Sequence, residues 1–148
     1  MKTLSIDAND AEILEALDEW VQLLAEERYQ DAYDFLYHES GDILTPELIK
    51  TAINNYGYAE PHWSGKTFKV ALPVGGGEEE LLGNGEVEWE EESPITRYEL
   101  GSVGKGILGQ VLYPLPLEGE EQTDLTAVLD FRQVKGELVF HLETIHVL

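Results

Sequence analysis

The spacing of hydrophobic residues divides the chain into a helical first part and a strand-forming second part. From Asp10 to Glu27, apolar residues recur at intervals of three and four while glutamates fill the other face, which predicts an amphipathic helix. Asn9 or Asp10 is placed to cap its first turn. The same spacing predicts a second, shorter helix from Tyr29 to Leu36.

A third helix has clear start and stop signals. Thr45 supplies an N-cap hydroxyl, Pro46 suits the first helical position, and Gly57 ends the pattern. Its predicted buried stripe consists of Leu48, Ile49, Ala52 and Ile53.

From Lys66 onward the apolar period changes to two, which is typical of strands. The pattern predicts strands from Lys66 to Leu72, from Glu86 to Glu90 after a turn at Gly83-Asn84-Gly85, from Ile95 to Leu100, and from Gly106 to Tyr113. A closing hairpin is predicted from Leu125 to Phe131 and from Leu138 to Val147, with its turn at Lys135-Gly136. The chain is therefore expected to be one α+β domain over residues 1–148, with N-terminal helices packed on a curved antiparallel C-terminal sheet.

Charge is the most unusual feature of the composition. Thirty acidic against nine basic residues give a formal net charge of −21, so phosphate backbones and anionic lipids would repel the chain. We therefore expect neither a nucleic-acid nor a membrane partner. Two interpretations of the acidity remain: it keeps the protein soluble, or it complements a basic partner protein.

The absence of cysteine and the composition of the first residues exclude further kinds of site and of targeting segment. The absence of cysteine excludes disulfides, thiolate metal sites and thiol nucleophiles. The segment from Met1 to Asp7 lacks the apolar run of a signal peptide, and no stretch approaches the roughly 20 apolar residues of a membrane helix. A cytoplasmic, bacterial-type protein is the expectation.

One glycine motif invites a nucleotide-binding interpretation. Gly104-Lys105-Gly106-Ile107-Leu108-Gly109 has the glycine spacing of a dinucleotide-binding loop. That loop needs a helix directly after it, whereas Pro114 and Pro116 follow here and no helical stripe does. We interpret these glycines as bending or bulging a strand, and we expect no cofactor.

Histidines and aromatic residues offer the other candidates. His141 and Glu143 share a strand face and could form a metal pair, but no third ligand can be named, so an exposed pair and no metal site are expected. His146 would face the helices if no bulge intervenes, and is then a candidate catalytic base or a residue at the core margin. Aromatic residues on the helical side belong to the core or line a pocket; the candidate pocket residues are Tyr33, Trp63 and His146.

Two segments carry a resemblance to a known family. They are Trp20-x-x-x-Leu24 leading into the run from Arg28 to Leu36, and the closing hairpin from Gly136 to Leu142. With three helices before a curved sheet, the chain resembles the cone-shaped nuclear transport factor 2-like superfamily. The resemblance implies an enzyme, a small-ligand binder, or a non-catalytic protein binder such as a bacterial immunity protein. Enzymatic members place an acid and a histidine in the cone, whereas Asp130 here falls on the opposite face from Leu129 and Phe131.

These observations favour a non-enzymatic acidic domain that binds a basic partner protein and, in a narrower form, an immunity-type inhibitor of a toxin. The alternatives are a pocket enzyme or small-ligand binder, and a nucleic-acid mimic; a homodimer is also left open. The expected contact residues are the acids of three loops, Glu78, Glu79, Glu80, Glu90, Glu91, Glu92, Glu118, Glu120 and Glu121.

Overall fold

The computed structural model describes residues 1–58, 60–72, 94–99, 101–120 and 124–147. Within these ranges the chain order is β1 (Leu4–Ser5), α1 (Asp10–Ala25), α2 (Tyr29–Phe35), α3 (Pro46–Asn54), β2 (Ile95–Arg97), β3 (Ile107–Pro114), β4 (Leu125–Val134) and β5 (Glu137–Val147). The helices are N-terminal and the sheet is C-terminal, which confirms the α+β prediction.

Two of the helices, α1 and α3, begin where their capping residues predict. The side chain of Asn9 accepts a hydrogen bond from the backbone N–H of Glu12, and the Glu12 side chain accepts one from the backbone N–H of Asn9, forming a capping box. Thr45 Oγ1 accepts a hydrogen bond from the backbone N–H of Leu48 at the start of α3. These bonds satisfy backbone donors that have no partner inside their helices.

A fully buried tryptophan joins the first two helices. Trp20 lies on the inner face of α1, and its Nε1 donates to the carbonyl oxygen of Ala32 in α2 at 3.1 Å. A buried indole N–H needs such a partner, since leaving it unpaired would cost about 1–3 kcal/mol.

No described helix is long and apolar enough to cross a membrane.

The described strands form one curled antiparallel sheet in the order β1-β5-β4-β3-β2. The hairpin of β4 and β5 pairs Phe131 with Phe140 and turns at Lys135 and Gly136, both at positive φ. The predicted hairpin is therefore confirmed. Its inner face packs against the helices through residues that are almost fully buried: Leu125, Ala127, Leu129, Phe131, Phe140 and Ile145.

Two bulges interrupt the ladder. A register shift between Ile107 and Gly109 confirms that the glycine motif bends a strand. On β5, Leu142 pairs with Leu129 but Thr144 pairs with Val128, so Glu143 is an extra residue. The second bulge reverses the alternation of side chains beyond it.

That reversal corrects the expected orientation of His146. Ile145 belongs to the core, and its neighbour His146 pairs with Thr126 on the face away from the helices. The condition under which His146 is expected to face the helices, a strand without a bulge, is therefore not met. The sequence period of two contains no signal for the extra residue at Glu143.

Two other predictions need correction, the strand at residues 66–72 and the burial of Leu48. Residues 66–72 do not form a strand: Val70 makes an isolated bridge to Leu117, while Phe68 and Val70 are buried. The prediction that Leu48 is buried in α3 is wrong, since this side chain is 45 % exposed. The short strand β1, which pairs with the start of β5, has no counterpart among the predicted strands. The predicted turn at 83–85 and strand at 86–90 lie outside the described residues.

Candidate functional site

Three charged or titratable side chains are buried together on the face of the sheet opposite the core. Asp130 is 1 % exposed, Arg132 4 % and His141 8 %. Asp130 pairs directly with His141 across the hairpin, and Arg132 follows two residues later on the same face of β4. Buried charges require partners, so these contacts define the chemistry of the cluster.

The α2–α3 loop, residues 36–45, closes over this cluster. The backbone N–H of Tyr37 donates to the carbonyl oxygen of Phe140 at 2.7 Å, which fixes the loop to the edge of β5 next to the point where β1 pairs with it. The guanidinium of Arg132 lies 5.7 Å from the centre of the Tyr37 ring, within cation–π range. The loop thereby brings Glu39 and Asp42 next to the buried residues.

Arg132 is held by two carboxylates. Its Nε donates to Asp130 Oδ1 at 2.5 Å and its Nη2 to Oδ2 at 3.2 Å, and its Nη1 donates to Glu39 Oε2 at 2.9 Å. Burial alone would lower the pKa of Arg132, but the hydrogen bonds that it donates to Asp130 and then to Glu39 outweigh burial and raise that pKa. The hydrogen bond from Arg132 lowers the pKa of the Glu39 carboxyl, against the opposing effect of desolvation. The guanidinium is a permanent cation of this cluster.

The hydrogen-bonding pattern fixes the orientation of the imidazole of His141. Nδ1 lies 2.8 Å from Asp130 Oδ2 and 3.1 Å from Arg132 Nη2. A carboxylate oxygen only accepts, so the shorter contact assigns the proton to Nδ1, which donates to Asp130 Oδ2, and Arg132 Nη2 donates to the same oxygen at 3.2 Å. The other nitrogen, Nε2, then faces outward and lies 3.4 Å from Asp42 Oδ1 and 3.3 Å from Oδ2.

A groove of about 260 Å³ begins at this cluster and follows the edge of β5. Asp42 and His141 line one end, and Glu143 and Thr144 of the bulge line the strand side. Its remaining lining is apolar and comes from the loop, α3 and β5, namely Ile43, Leu44, Leu48, Ile49, Ala52, Leu142 and Ile145. Ile43 in this lining is 85 % exposed, so the groove presents an open apolar surface with acidic residues beside it.

The candidate pocket residues do not come together. Tyr33 stacks on the His38 ring at 3.9 Å, and Trp63 is 90 % exposed next to His62. His146 lies on the face of the sheet away from the helices. No contact among the described residues joins Tyr33, Trp63 and His146.

The predicted acidic contact residues are described only in part. Glu118 is exposed, and Glu120 forms an ion pair with Lys66. The others lie outside the described residues: Glu78, Glu79, Glu80, Glu90, Glu91, Glu92 and Glu121.

Sequence reasoning misses the cluster of Asp130, Arg132 and His141. The sequence predicts an exposed His141 beside Glu143, yet His141 is buried against Asp130, while Glu143 is exposed on the bulge. A signal is present: a hairpin that turns at Lys135 and Gly136 places residue 130 opposite residue 141. No comparable sequence pattern predicts that Glu39 and Asp42 of the α2–α3 loop lie next to this cluster.

Comparisons of the chain with protein-family models, curated proteins and solved structures found no match.

Proposed function

We propose that this chain is a non-enzymatic acidic domain that binds a basic partner protein. The observation that carries the proposal is that most lysines and arginines of the chain already form ion pairs within it. Seven of the nine lysines and arginines form ion pairs with acids of the same chain. Lys50 and Lys135 alone make no ion pair with a described residue. Because the cations are already engaged, the large excess of acids is left without counter-charges from the chain itself.

Exposed acids that form no ion pair within the described ranges occur on several elements. Examples are Glu15 on α1, Glu47 on α3, Glu118 before β4 and Glu143 on β5. A negative surface of this extent accelerates encounter with a positive partner, and the acceleration weakens as salt screens the charges. The charge also serves solubility, so the proposal needs a test that separates the two roles.

The groove beside β5 is the surface that we propose the partner contacts. It combines apolar side chains, which are typical of the buried core of an interface, with the acids Asp42 and Glu143. It also borders the edge of β5 beyond Phe140, next to the point where Tyr37 donates its backbone hydrogen bond. An extended basic segment fits such a surface, since strand edges bind extended peptides through backbone hydrogen bonds.

A pocket enzyme is the main alternative, because Asp130 orients His141 as an acid orients a catalytic base. A base must reach a substrate proton with its free nitrogen. Here Asp42 lies 3.3 Å from Nε2 and occupies that direction. The binding function is therefore favoured.

In its narrower form, the proposal is an immunity-type inhibitor in the cytoplasm that masks the basic surface of a toxin. The order of three helices followed by a curled antiparallel sheet supports membership of the nuclear transport factor 2-like superfamily. The unmatched acids support a basic target.

The test begins with capture of partners from a native lysate, followed by association kinetics of the retained protein. The screening length falls from about 10 Å at 0.1 M salt to about 3 Å at 1 M, so the on-rate should fall over that range. Reversing the charges of Glu90, Glu91 and Glu92 should lower it as well. A retained protein that is not basic, or an on-rate independent of salt, contradicts the proposal.

A matched pair of variants locates the contact. Glu143→Lys changes the charge within the groove, and Glu15→Lys makes the same change on the exposed face of α1. We expect the groove variant to slow association and to speed dissociation, while the helix variant has only the smaller, long-range effect on association. Equal effects of the two variants would place the partner elsewhere on the surface.

A further inference from the structure

Three metal-ligating groups meet where the α2–α3 loop crosses β5. Each of Glu39, Asp42 and His141 offers one ligand atom, and these three atoms lie within 4.8 Å of one another. Two come from the loop and the third from a strand about a hundred residues later. This is the only such group among the residues that the structure describes.

The outward nitrogen of His141 is the feature that points to a cation. Because Nδ1–H donates to Asp130, a neutral imidazole has a lone pair on Nε2. That lone pair faces both oxygens of Asp42 at 3.3 and 3.4 Å, and these oxygens are acceptors as well. Acceptors that face each other at this distance need a positive species between them, which is either a proton on Nε2 or a metal ion.

The surroundings of His141 match those of a metal-ligating histidine. Such a histidine usually donates its other N–H to a carboxylate, which fixes the ring and increases the basicity of the ligating nitrogen. Asp130 is in this position at 2.8 Å, and Arg132 in turn holds the Asp130 carboxylate. The orienting partner of a metal ligand is therefore already in place and buried.

Two cations near the site affect how a metal could bind. Arg132 occupies Oε2 of Glu39 at 2.9 Å and would remain there. Lys105 contacts Oε1 at 3.3 Å, but its side chain is 64 % exposed. A lysine this exposed can move into solvent at little cost, since surface ion pairs contribute about 0–1 kcal/mol. Oε1 of Glu39 is then available as a ligand.

We propose that Glu39, Asp42 and His141 bind one divalent transition-metal ion of the zinc type. Imidazole and carboxylate ligands suit Zn²⁺. Three protein ligands and one water molecule can complete its four-coordinate shell. The ion ties the α2–α3 loop to β5. It thereby fixes the end of the groove at which Asp42 and His141 lie.

The experiment is titration of the metal-free full chain with ZnCl₂ by calorimetry, with MgCl₂ as a second titrant. We expect one Zn²⁺ per chain and much weaker binding of Mg²⁺, which disfavours a histidine ligand. Asp42→Asn should weaken Zn²⁺ binding by about tenfold or more. Glu15→Gln, on the exposed face of α1 and outside the three ligands, is the control and should leave the affinity unchanged.

A second measurement reports on the histidine directly. On addition of Zn²⁺, the ¹⁵N resonance of His141 Nε2 should shift, while the resonances of His62, which contacts Tyr56 and Phe68 instead, stay in place. The proposal is overturned if the wild type takes up no stoichiometric Zn²⁺. It is also overturned if Asp42→Asn binds as tightly as the wild type, or if the His141 resonance does not move. The species between His141 and Asp42 is then a proton. Because this readout is independent of any partner, its failure leaves the proposed protein-binding function standing.

Discussion

Asp130 and His141 lie directly opposite each other on β4 and β5, and Asp130 Oδ2 accepts a hydrogen bond from His141 Nδ1 at 2.8 Å. The same carboxylate binds the guanidinium of Arg132 through both of its oxygens. Asp130 is therefore the shared acceptor of two buried donors, and its removal affects both.

The variant Asp130→Asn should destabilise the fold by about 3 kcal/mol, because it leaves the buried cation of Arg132 with only Glu39 as a counter-charge. Urea unfolding followed by tryptophan fluorescence measures this change. Glu19→Gln breaks the exposed pair with Lys2 and is the control, with an expected cost below about 1 kcal/mol. Similar costs for the two variants would mean that water screens the buried cluster as it does the surface pair.

Gly109→Ala should also be destabilising. Gly109 pairs with Phe131 on β4, and a methyl group at 109 would overlap the Phe131 ring and approach the Thr96 carbonyl oxygen at 2.5 Å. Overpacking of this kind costs about 1–3 kcal/mol. Gly104→Ala is the matched control because nothing lies within 4 Å of its Cβ position. Thermal unfolding that is unchanged in Gly109→Ala would show that the Phe131 ring can move aside.

Stability should fall at alkaline pH through Tyr113. Burial, and then the hydrogen bond to Asp18 Oδ1 at 2.6 Å, raises the pKa of the Tyr113 hydroxyl above its ordinary value of 10.0. The unfolded chain loses this proton at a lower pH than the folded chain, so the contribution is complete below about pH 10 and declines above it.

The variant Tyr113→Phe removes this pH dependence. At pH 7 this variant should lower the free energy of unfolding by about 1.5 kcal/mol, because it lacks the hydrogen bond to Asp18. Above about pH 10 its stability should decline less steeply with pH than that of the wild type. Urea midpoints at pH 7 to 11 measure both effects, and Tyr58→Phe, at an exposed ring, is the control. An identical alkaline slope in wild type and Tyr113→Phe would exclude Tyr113 as its cause.

The N-cap of α3 is testable by a pair of threonine variants. Thr45→Ala removes the hydroxyl that accepts from the backbone N–H of Leu48, and should cost about 1 kcal/mol. Thr51→Ala lies on the exposed face of the same helix, where alanine is the better helix former, so it should be neutral or slightly stabilising. Equal midpoints in urea for the two variants would show that α3 is held by Ile49 and Ile53 and not by its cap.

The sequence by itself determined the helices and the closing hairpin, because their signals are local. Thr45 and Pro46 act within one turn of α3, and the turn at Lys135 and Gly136 fixes the register of β4 against β5. That register already places Asp130 beside His141, so this pair of the candidate site follows from the sequence and the hairpin turn alone.

The tertiary structure alone decided the rest of the site. Glu39 contacts Arg132 across 93 positions and Asp42 contacts His141 across 99, and no local pattern specifies which loop covers the outer face of a sheet. The alternation of apolar and polar residues along β5 likewise does not reveal the extra residue at Glu143, yet that residue turns His146 away from the helices. The face of each residue follows from strand alternation only until a bulge intervenes, and the partners of a buried charge depend on which distant segment packs over it.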